Sequence, residues 1–140
     1  MSRNCSLAFL LLLSLSLLQG CLGGRDIEPG TSNNTEIIVL ESEGIIRQKQ
    51  CQERGLVDTM LVLESRDCPA CGEAKPILKE VEEEHGVAFE YIDLADEGVL
   101  AMEGYGVYAM YTPTVIINCR ILIGVHSKED YSAALEEDVS

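Results

Sequence analysis

Basic residues are scarce in this sequence. Its 140 residues include 10 Lys and Arg against 24 Asp and Glu, so the formal net charge is −14. A surface that binds nucleic acid needs clustered positive charge to meet the phosphates, and this composition argues against it. Nucleic acid is therefore not an expected partner. Most of the acidic residues are predicted to lie on solvated helix faces.

An apolar run long enough to cross a membrane is also missing. The run at Leu7–Leu18 has twelve residues, which rise about 18 Å as a helix, whereas a hydrocarbon core is about 30 Å thick. The positive charge of Arg3 precedes it. A short positive start followed by a short apolar core is typical of a signal peptide, which we assign to residues 1–20.

The signal peptide is followed by a cysteine. Leu18 lies three residues before Cys21 and Gly20 directly before it, a pattern that resembles the lipobox of prokaryotic lipoproteins. The resemblance implies that Cys21 is lipidated and anchors the chain to the outer face of the cytoplasmic membrane. Ordinary secretory cleavage nearby is the alternative, and both imply export. Residues 21–35 are predicted to be a flexible tether to a domain at residues 36–140.

Hydrophobic periodicity predicts a regular order of elements in that domain. The segment "EIIVLESEG" is either a short strand or a helix entry, and "GIIRQKQCQERG" is predicted to be a helix that ends at Gly55. A buried strand at "TMLVLES" precedes an amphipathic helix that ends at Gly86. Then follow a strand at "VAFEYIDL", a short helix near Gly104, two strands joined by Asn118-Cys119, and a helix from Ser127 to about Glu137. This order predicts an α/β fold, a mixed central sheet with helices on both faces.

Two cysteines lie between the first predicted strand and its helix. In "DCPACGEAKPIL", Cys68 and Cys71 are separated by two residues, the first of which is Pro69. Unpaired backbone N–H groups and the helix dipole favour negative charge at a helix start, so the pKa of a thiol there should fall below its ordinary value. Proline suits this place because an early helical residue needs no N–H donor. Cys68 is therefore the predicted nucleophile and Cys71 the resolving thiol.

Three other roles compete for this pair. A structural zinc site needs about four ligands, but there is no second C-x-x-C, and His85 and His126 are isolated in the sequence. A c-type haem attachment needs histidine after the second cysteine, where this chain has Gly72. A purely structural disulfide, common in exported proteins, remains open on spacing alone.

Further residues extend the pattern to a known family. Pro76 follows the second cysteine by five residues, "YTPTVII" places Thr112-Pro113 before a strand, and "INCRILIG" ends at Gly124. In this order the segments resemble the thioredoxin superfamily over roughly residues 59–137. The resemblance implies a thioredoxin-like fold, a kink at Pro76 in the active-site helix, and a cis peptide bond at Pro113 that faces the cysteines. It also implies that the backbone of Thr112 pairs with a bound substrate strand.

The sequence departs from that family at several positions. Val62 stands where thioredoxins have a buried aspartate, and Asp67 replaces the usual aromatic residue before the first cysteine. A carboxylate next to a thiolate opposes its formation by repulsion. "GVHSKED" lacks the Gly-Gly…Asp pattern that grips glutathione, so glutathione dependence is not predicted. The loop "YGVYAMYTP" is longer than in thioredoxins, and its three tyrosines are candidates to line a peptide groove, although local packing is expected for at least two of them.

Two further cysteines lie outside the active-site motif. In the inferred fold, Cys119 occupies a hairpin position that usually holds glycine, where a cysteine is conformationally costly. This turn and the start of the central strand lie at the same end of the sheet, and Cys51 precedes that strand by a few residues. We therefore predict a structural disulfide between Cys51 and Cys119, with two free thiols as the alternative.

Together these features predict an exported, lipid-anchored thiol–disulfide oxidoreductase that acts on protein thiols or disulfides, or passes electrons to a redox partner protein. No cofactor is expected because the two sulfurs carry both electrons, and no metal site is predicted. The sequence does not determine whether the protein oxidises, reduces or isomerises disulfides. The alternative is a thioredoxin-like module that binds a peptide or a soft metal such as Cu(I) without turnover.

Overall fold

A computed structural model describes residues 36–94 and 98–137 of the chain. The predicted signal peptide, the tether and Cys21 lie outside the described residues. Along the chain the elements are β1 (Ile38–Leu40), β2 (Gly44–Ile45), α1 (Gln48–Glu53), β3 (Met60–Glu64), α2 (Pro69–His85), β4 (Glu90–Asp93), α3 (Gly98–Tyr105), β5 (Val107–Ala109), β6 (Thr114–Ile117), β7 (Arg120–Ile123) and α4 (Lys128–Glu136).

Five strands form the main sheet in the order β2-β7-β6-β3-β4. Strands β3 and β4 are parallel, whereas β3–β6, β6–β7 and β2–β7 are antiparallel, so the sheet is mixed. Strands β1 and β5 form a separate parallel pair. The predicted α/β class with a mixed sheet is therefore confirmed.

Side chains alternate along β3 and supply both faces of the sheet. Leu61 and Leu63 pack into one apolar cluster, which also holds Cys51 of α1 and Met102 of α3. Val62 points into the other cluster, with side chains of α2 and α4. Because successive strand residues point to opposite faces, this short apolar strand is buried on both sides. Helices thus cover both faces, as predicted.

Helix α2 follows its sequence pattern closely. Ala74, Leu78 and Val81 are buried at helical spacing, and Gly86 ends the helix with a φ of 65° in the left-handed region. Glu82 differs from the prediction that it faces water. Its carboxylate accepts hydrogen bonds from the backbone N–H of Phe89 at 2.7 Å and from Lys79 Nζ at 2.6 Å. The side chain thereby connects α2 to the start of β4.

The predicted helix at "GIIRQKQCQERG" is wrong in its first half. Helix α1 begins only at Gln48, and Gly44–Ile45 pair with β7 as strand β2. Ile46 is buried and its N–H donates to the Cys119 carbonyl at 2.9 Å, whereas Ile45 is exposed. Ile45 and Ile46 point to opposite sides, as successive residues of an extended chain do. Their partner strand β7 is distant in the sequence, so hydrophobic periodicity does not reveal the pairing.

Arg54, just after α1, joins three distant parts of the fold. Its side chain is almost fully buried, with 9% exposed. The guanidinium donates to the carbonyls of Tyr105 at 3.1 Å and Gly106 at 2.6 Å, and to that of Glu36. Tyr105 ends α3, so the positive charge also lies where a helix dipole favours it. One side chain therefore holds α3 and the approach to β1 against α1.

Replacing Arg54 by methionine is expected to lower the free energy of unfolding by about 3 kcal/mol, because three partly buried hydrogen bonds from a charged donor are lost. Urea denaturation of both proteins measures this difference. Lys49→Met is the matched control, since Lys49 lies exposed on the same helix in a 3.9 Å ion pair with Glu53 and should change stability by less than about 0.5 kcal/mol. Equal midpoints for the two variants would contradict the role of Arg54.

Within the described residues, no helix combines the length and the apolar character that crossing a membrane would require.

Candidate active site

Cys68 and Cys71 form a disulfide at the start of α2. Cys68 is the N-cap residue, Pro69 is the first residue of the helix, and the two cysteine Cα atoms are 5.3 Å apart. The backbone N–H of Cys71 donates to Cys68 Sγ at 3.1 Å. A helix start has N–H groups without partners in the helix, and here one of them is directed at a sulfur. The same N–H would stabilise a thiolate on Cys68 once the disulfide is reduced.

The two sulfurs differ in their access to solvent. Cys71 is buried, with 6% of its surface exposed, whereas Cys68 is partly exposed. An incoming reactant therefore meets Cys68 first. Asp67 lies exposed in the turn before it, where water screens its charge strongly. The expected repulsion between Asp67 and a Cys68 thiolate is correspondingly small.

The loop before β6 lies against Cys68. The Thr112–Pro113 peptide bond is cis, and the Thr112 carbonyl oxygen is 3.3 Å from Cys68 Sγ. Hydrogen bonds hold this loop in place. Thr114 Oγ1 donates to the Tyr111 carbonyl at 2.6 Å, and the Gly124 N–H donates to the Pro113 carbonyl at 2.8 Å. The structure thus brings the four residues of the two motifs together at one end of β3 and β6.

Ser65 is a site residue that sequence analysis missed. Its Oγ lies 3.4 Å from Thr112 Oγ1 and so connects the loop after β3 to the proline loop. A serine in a strand–helix loop is common and carries no distinctive pattern. The two residues are separated by 47 positions, so only the folded chain reveals their contact.

Pro76 lies inside α2, in a helix that runs without a break from Pro69 to His85. Its ring nitrogen has no hydrogen, so it cannot donate to the carbonyl four residues earlier. The kink expected there stays a prediction.

Cys51 and Cys119 form a second disulfide, with Cα atoms 5.8 Å apart and a sequence separation of 68. Both residues are buried. Cys119 lies in the turn after β6, so this disulfide is at the opposite end of that strand from Pro113. Asn118 and Cys119 have φ values of 46° and 73°, the left-handed conformation that a two-residue hairpin requires. A buried disulfide away from the candidate site is suited to a structural role.

Tyr91 of β4 packs beside α2. Burial, together with the negative charges of Glu82 and Glu64, raises the pKa of Tyr91 to about 12. Lys75 Nζ and Lys79 Nζ each lie 5.0 Å from the centre of its ring. Tyr91 is therefore neutral and packs against two cations. With this raised pKa, the Tyr91 hydroxyl does not act as an acid or base near neutral pH.

Glu82 gives the stability a defined pH dependence. Burial opposes its ionisation, but the hydrogen bonds from Lys79 and from the Phe89 backbone hold its pKa below the ordinary value. A lowered folded-state pKa contributes stability above the ordinary glutamate value and loses it as the pH falls through the folded value. Glu82→Gln should therefore be less stable than wild type at pH 7, and the difference should shrink as the pH falls below about 4.

Urea midpoints of both proteins between pH 3 and pH 7 measure this effect. Glu83→Gln is the matched control, because Glu83 is exposed on the same helix. A difference between wild type and Glu82→Gln that stays constant over this range would contradict the assignment.

Compared with known proteins, the chain matches no family model, no curated protein and no solved structure.

Among the described side chains, no group of three or more His, Cys, Asp and Glu residues is arranged to hold a metal ion.

Proposed function

We propose that this chain is an exported thiol–disulfide oxidoreductase with a thioredoxin-like fold. One observation carries the proposal: Cys68 and Cys71 form a disulfide at the start of α2, and the Cys71 N–H donates to Cys68 Sγ at 3.1 Å. A sulfur that accepts a hydrogen bond at a helix start, and that is more exposed than its partner, is equipped to react as a thiolate.

The order of the elements supports the thioredoxin-like assignment. The cysteine pair lies between β3 and α2. Strand β4 is parallel to β3, and β6 is antiparallel to β3 and pairs with β7 in an antiparallel hairpin. The cis peptide bond precedes β6 and lies against Cys68. A cis peptide bond at Pro113 that faces the cysteines is what the sequence resemblance implies, and its position beside Cys68 supports the proposed fold.

In the reducing direction, the Cys68 thiolate attacks one sulfur of a substrate disulfide, and the other substrate sulfur leaves as a thiolate. Cys71 then loses its proton to solvent, and its thiolate attacks Cys68 Sγ in the mixed disulfide. The Cys68–Cys71 bond forms, the second substrate sulfur leaves, and two electrons have passed to the substrate. A partner dithiol reduces the protein again by the same two exchanges. The oxidising direction is the reverse.

The proposed location of this activity rests on residues 1–21 of the sequence. Residues 1–20 have the pattern of a signal peptide, and Cys21 is the proposed lipidation site. The protein would then act on protein cysteines outside the cytoplasmic membrane, where disulfides persist.

Reduction of insulin disulfides by dithiothreitol, with the protein and with its Cys68→Ser variant, tests the proposed function. The variant should give the rate of the uncatalysed reaction. Equal rates for the two proteins would refute the proposal.

A further inference from the structure

The small β1–β5 sheet has one face buried and one face exposed. Leu40, Val107 and Ala109 pack into the core. On the other face, Val39 lies opposite Tyr108 in register, and they are 49% and 55% exposed. Ile37 and Met110 extend this face and are 59% and 51% exposed. We call these four residues the outer face. Solvated sheet faces normally carry polar side chains, so a continuous apolar set indicates a contact surface.

The outer face is continuous with the candidate active site. The Met110 N–H donates to the Leu40 carbonyl at 3.2 Å, which extends the pairing of the two strands as far as Met110. Tyr111 follows and is also half-exposed, and the next residue is Thr112, whose carbonyl lies 3.3 Å from Cys68 Sγ. The four residue-to-residue steps from Tyr108 to Thr112 extend at most about 14 Å. A bound peptide of about five residues therefore spans the distance from Cys68 to the outer face.

Two of the three tyrosines in this loop are exposed rather than packed. Tyr105 packs against the core, but Tyr108 and Tyr111 are each 55% exposed. The expectation that at least two of them serve local packing is therefore wrong. Tyrosine gives a large contact area at a low cost in side-chain entropy, which is why it is frequent in binding surfaces.

The exposed charged side chains of the segments that carry the outer face are all acidic, and Arg54 lies buried beneath the start of both segments. Glu36 and Glu41 flank Ile37 and Val39 along the chain, and both are exposed. Residues 36–46 and 105–114 contain no lysine or arginine. An acidic rim around an apolar surface attracts apolar segments that also carry basic residues, and it repels an anionic membrane.

We propose that the outer face binds an extended apolar segment of an unfolded protein, with basic residues nearby, whose cysteine reacts with Cys68. This rests on the proposed redox function and adds the substrate class to it. Apolar side chains next to a cysteine are accessible in an unfolded chain and buried in most folded ones. The outer face binds those side chains while the Thr112 loop holds the backbone near Cys68 Sγ.

Two short peptides test this proposal. The protein used in these assays is the product of the full-length chain. The first has one cysteine flanked by Leu, Phe and Lys, and the second replaces Leu and Phe with Asn and Ser. As disulfide-linked dimers, the peptides are substrates whose reduction gives kcat/KM. Each value is divided by kcat/KM for a small aliphatic disulfide, so that the ratio reports recognition of the peptide. Versions with serine in place of cysteine report the dissociation constant by fluorescence anisotropy.

The variants are Val39→Thr and Tyr108→Ser, singly and combined, with Val57→Thr as the matched control. Val57 is 42% exposed and lies between α1 and β3, outside the outer face. For wild type and for the control we expect roughly tenfold tighter binding of the apolar peptide than of the polar one. The double variant should lose most of this preference, chiefly through KM, and added salt should weaken binding to wild type.

Equal affinity of wild type for both peptides would overturn the proposal. It would also be overturned if Val57→Thr lost the preference for the apolar peptide as fully as the double variant does. Light scattering and flotation with anionic vesicles test a second copy of the chain and a membrane as occupants. If the outer-face variants abolish self-association or vesicle binding and leave peptide affinity unchanged, the proposed occupant is wrong. If the proposed redox function is wrong, neither peptide dimer is reduced. Binding of the cysteine-free peptides still tests the docking proposal in that case.

Discussion

A Cys68→Ser variant is expected to reduce insulin disulfides roughly 1,000-fold or more slowly than wild type, which is close to the uncatalysed rate. Serine keeps the shape of the side chain but cannot form a mixed disulfide. Among the cysteines of residues 36–94 and 98–137, only Cys68 combines partial exposure with a hydrogen bond from the N-terminal turn of α2. Cys71 is buried behind it and does not replace it as the first nucleophile.

A Cys71→Ser variant separates the two roles. Its Cys68 thiolate still attacks a substrate disulfide, but no second thiol resolves the mixed disulfide. We therefore expect a covalent complex between the variant and its substrate, visible on a non-reducing gel and removed by dithiothreitol. A Cys68→Ser variant should form none. If Cys68→Ser traps substrate and Cys71→Ser does not, the assigned roles are reversed.

The other disulfide provides the control for this experiment. Cys51→Ala combined with Cys119→Ala removes the buried disulfide at the far end of β6. Assayed below its unfolding temperature, this double variant should still reduce insulin. Loss of insulin reduction in the folded double variant would contradict the assignment of the redox function to Cys68 and Cys71.

The same double variant is expected to lose about 4 kcal/mol of stability. The disulfide connects cysteines 68 positions apart, and the entropy that such a cross-link removes from the unfolded chain corresponds to this value. Both side chains are fully buried in the apolar core, so their truncation leaves small cavities that add to the loss. Urea denaturation under oxidising conditions measures the effect.

Cys68→Ala with Cys71→Ala is the matched comparison. The disulfide that this variant lacks joins residues with a sequence separation of 3. The same relation between loop length and entropy gives a loss of roughly 2 kcal/mol for it. We expect the Cys51–Cys119 double variant to be the less stable of the two. A loss below about 1 kcal/mol in that variant would show that the buried disulfide does not constrain the unfolded chain as expected.

Short-range pattern accounts for much of what sequence analysis predicted. Helix α2 was predicted from apolar spacing that ends at Gly86, and the capping box at Ser127 is present at the start of α4. The hairpin at Asn118-Cys119 was predicted from two adjacent apolar strands. Each of these features depends on residues within a few positions of one another, so the local sequence contains the whole signal.

Long-range contacts account for the errors and omissions. Strands β1 and β5 pair across more than 60 positions, and neither is long enough to show a period. The first half of the predicted α1 helix is a strand because β7 lies beside it. Ser65 and Arg54 carry no pattern, and their importance appears only when Thr112, Tyr105 and Gly106 are brought to them.

Some features of the candidate site depend on the local sequence, and others depend on contacts between distant segments. The spacing of Cys68 and Cys71, the proline between them and the Thr112-Pro113 dipeptide are covalent facts, and they were enough to predict redox chemistry and its order of attack. Folding alone established that the Cys71 N–H points at Cys68 Sγ, that Thr112 lies 3.3 Å from that sulfur, and that an apolar face leads away from it. Chemistry that depends on residue type and spacing is encoded locally. Access, proximity and surface shape depend on which distant segments pack together, and that is determined by the free energy of the whole fold.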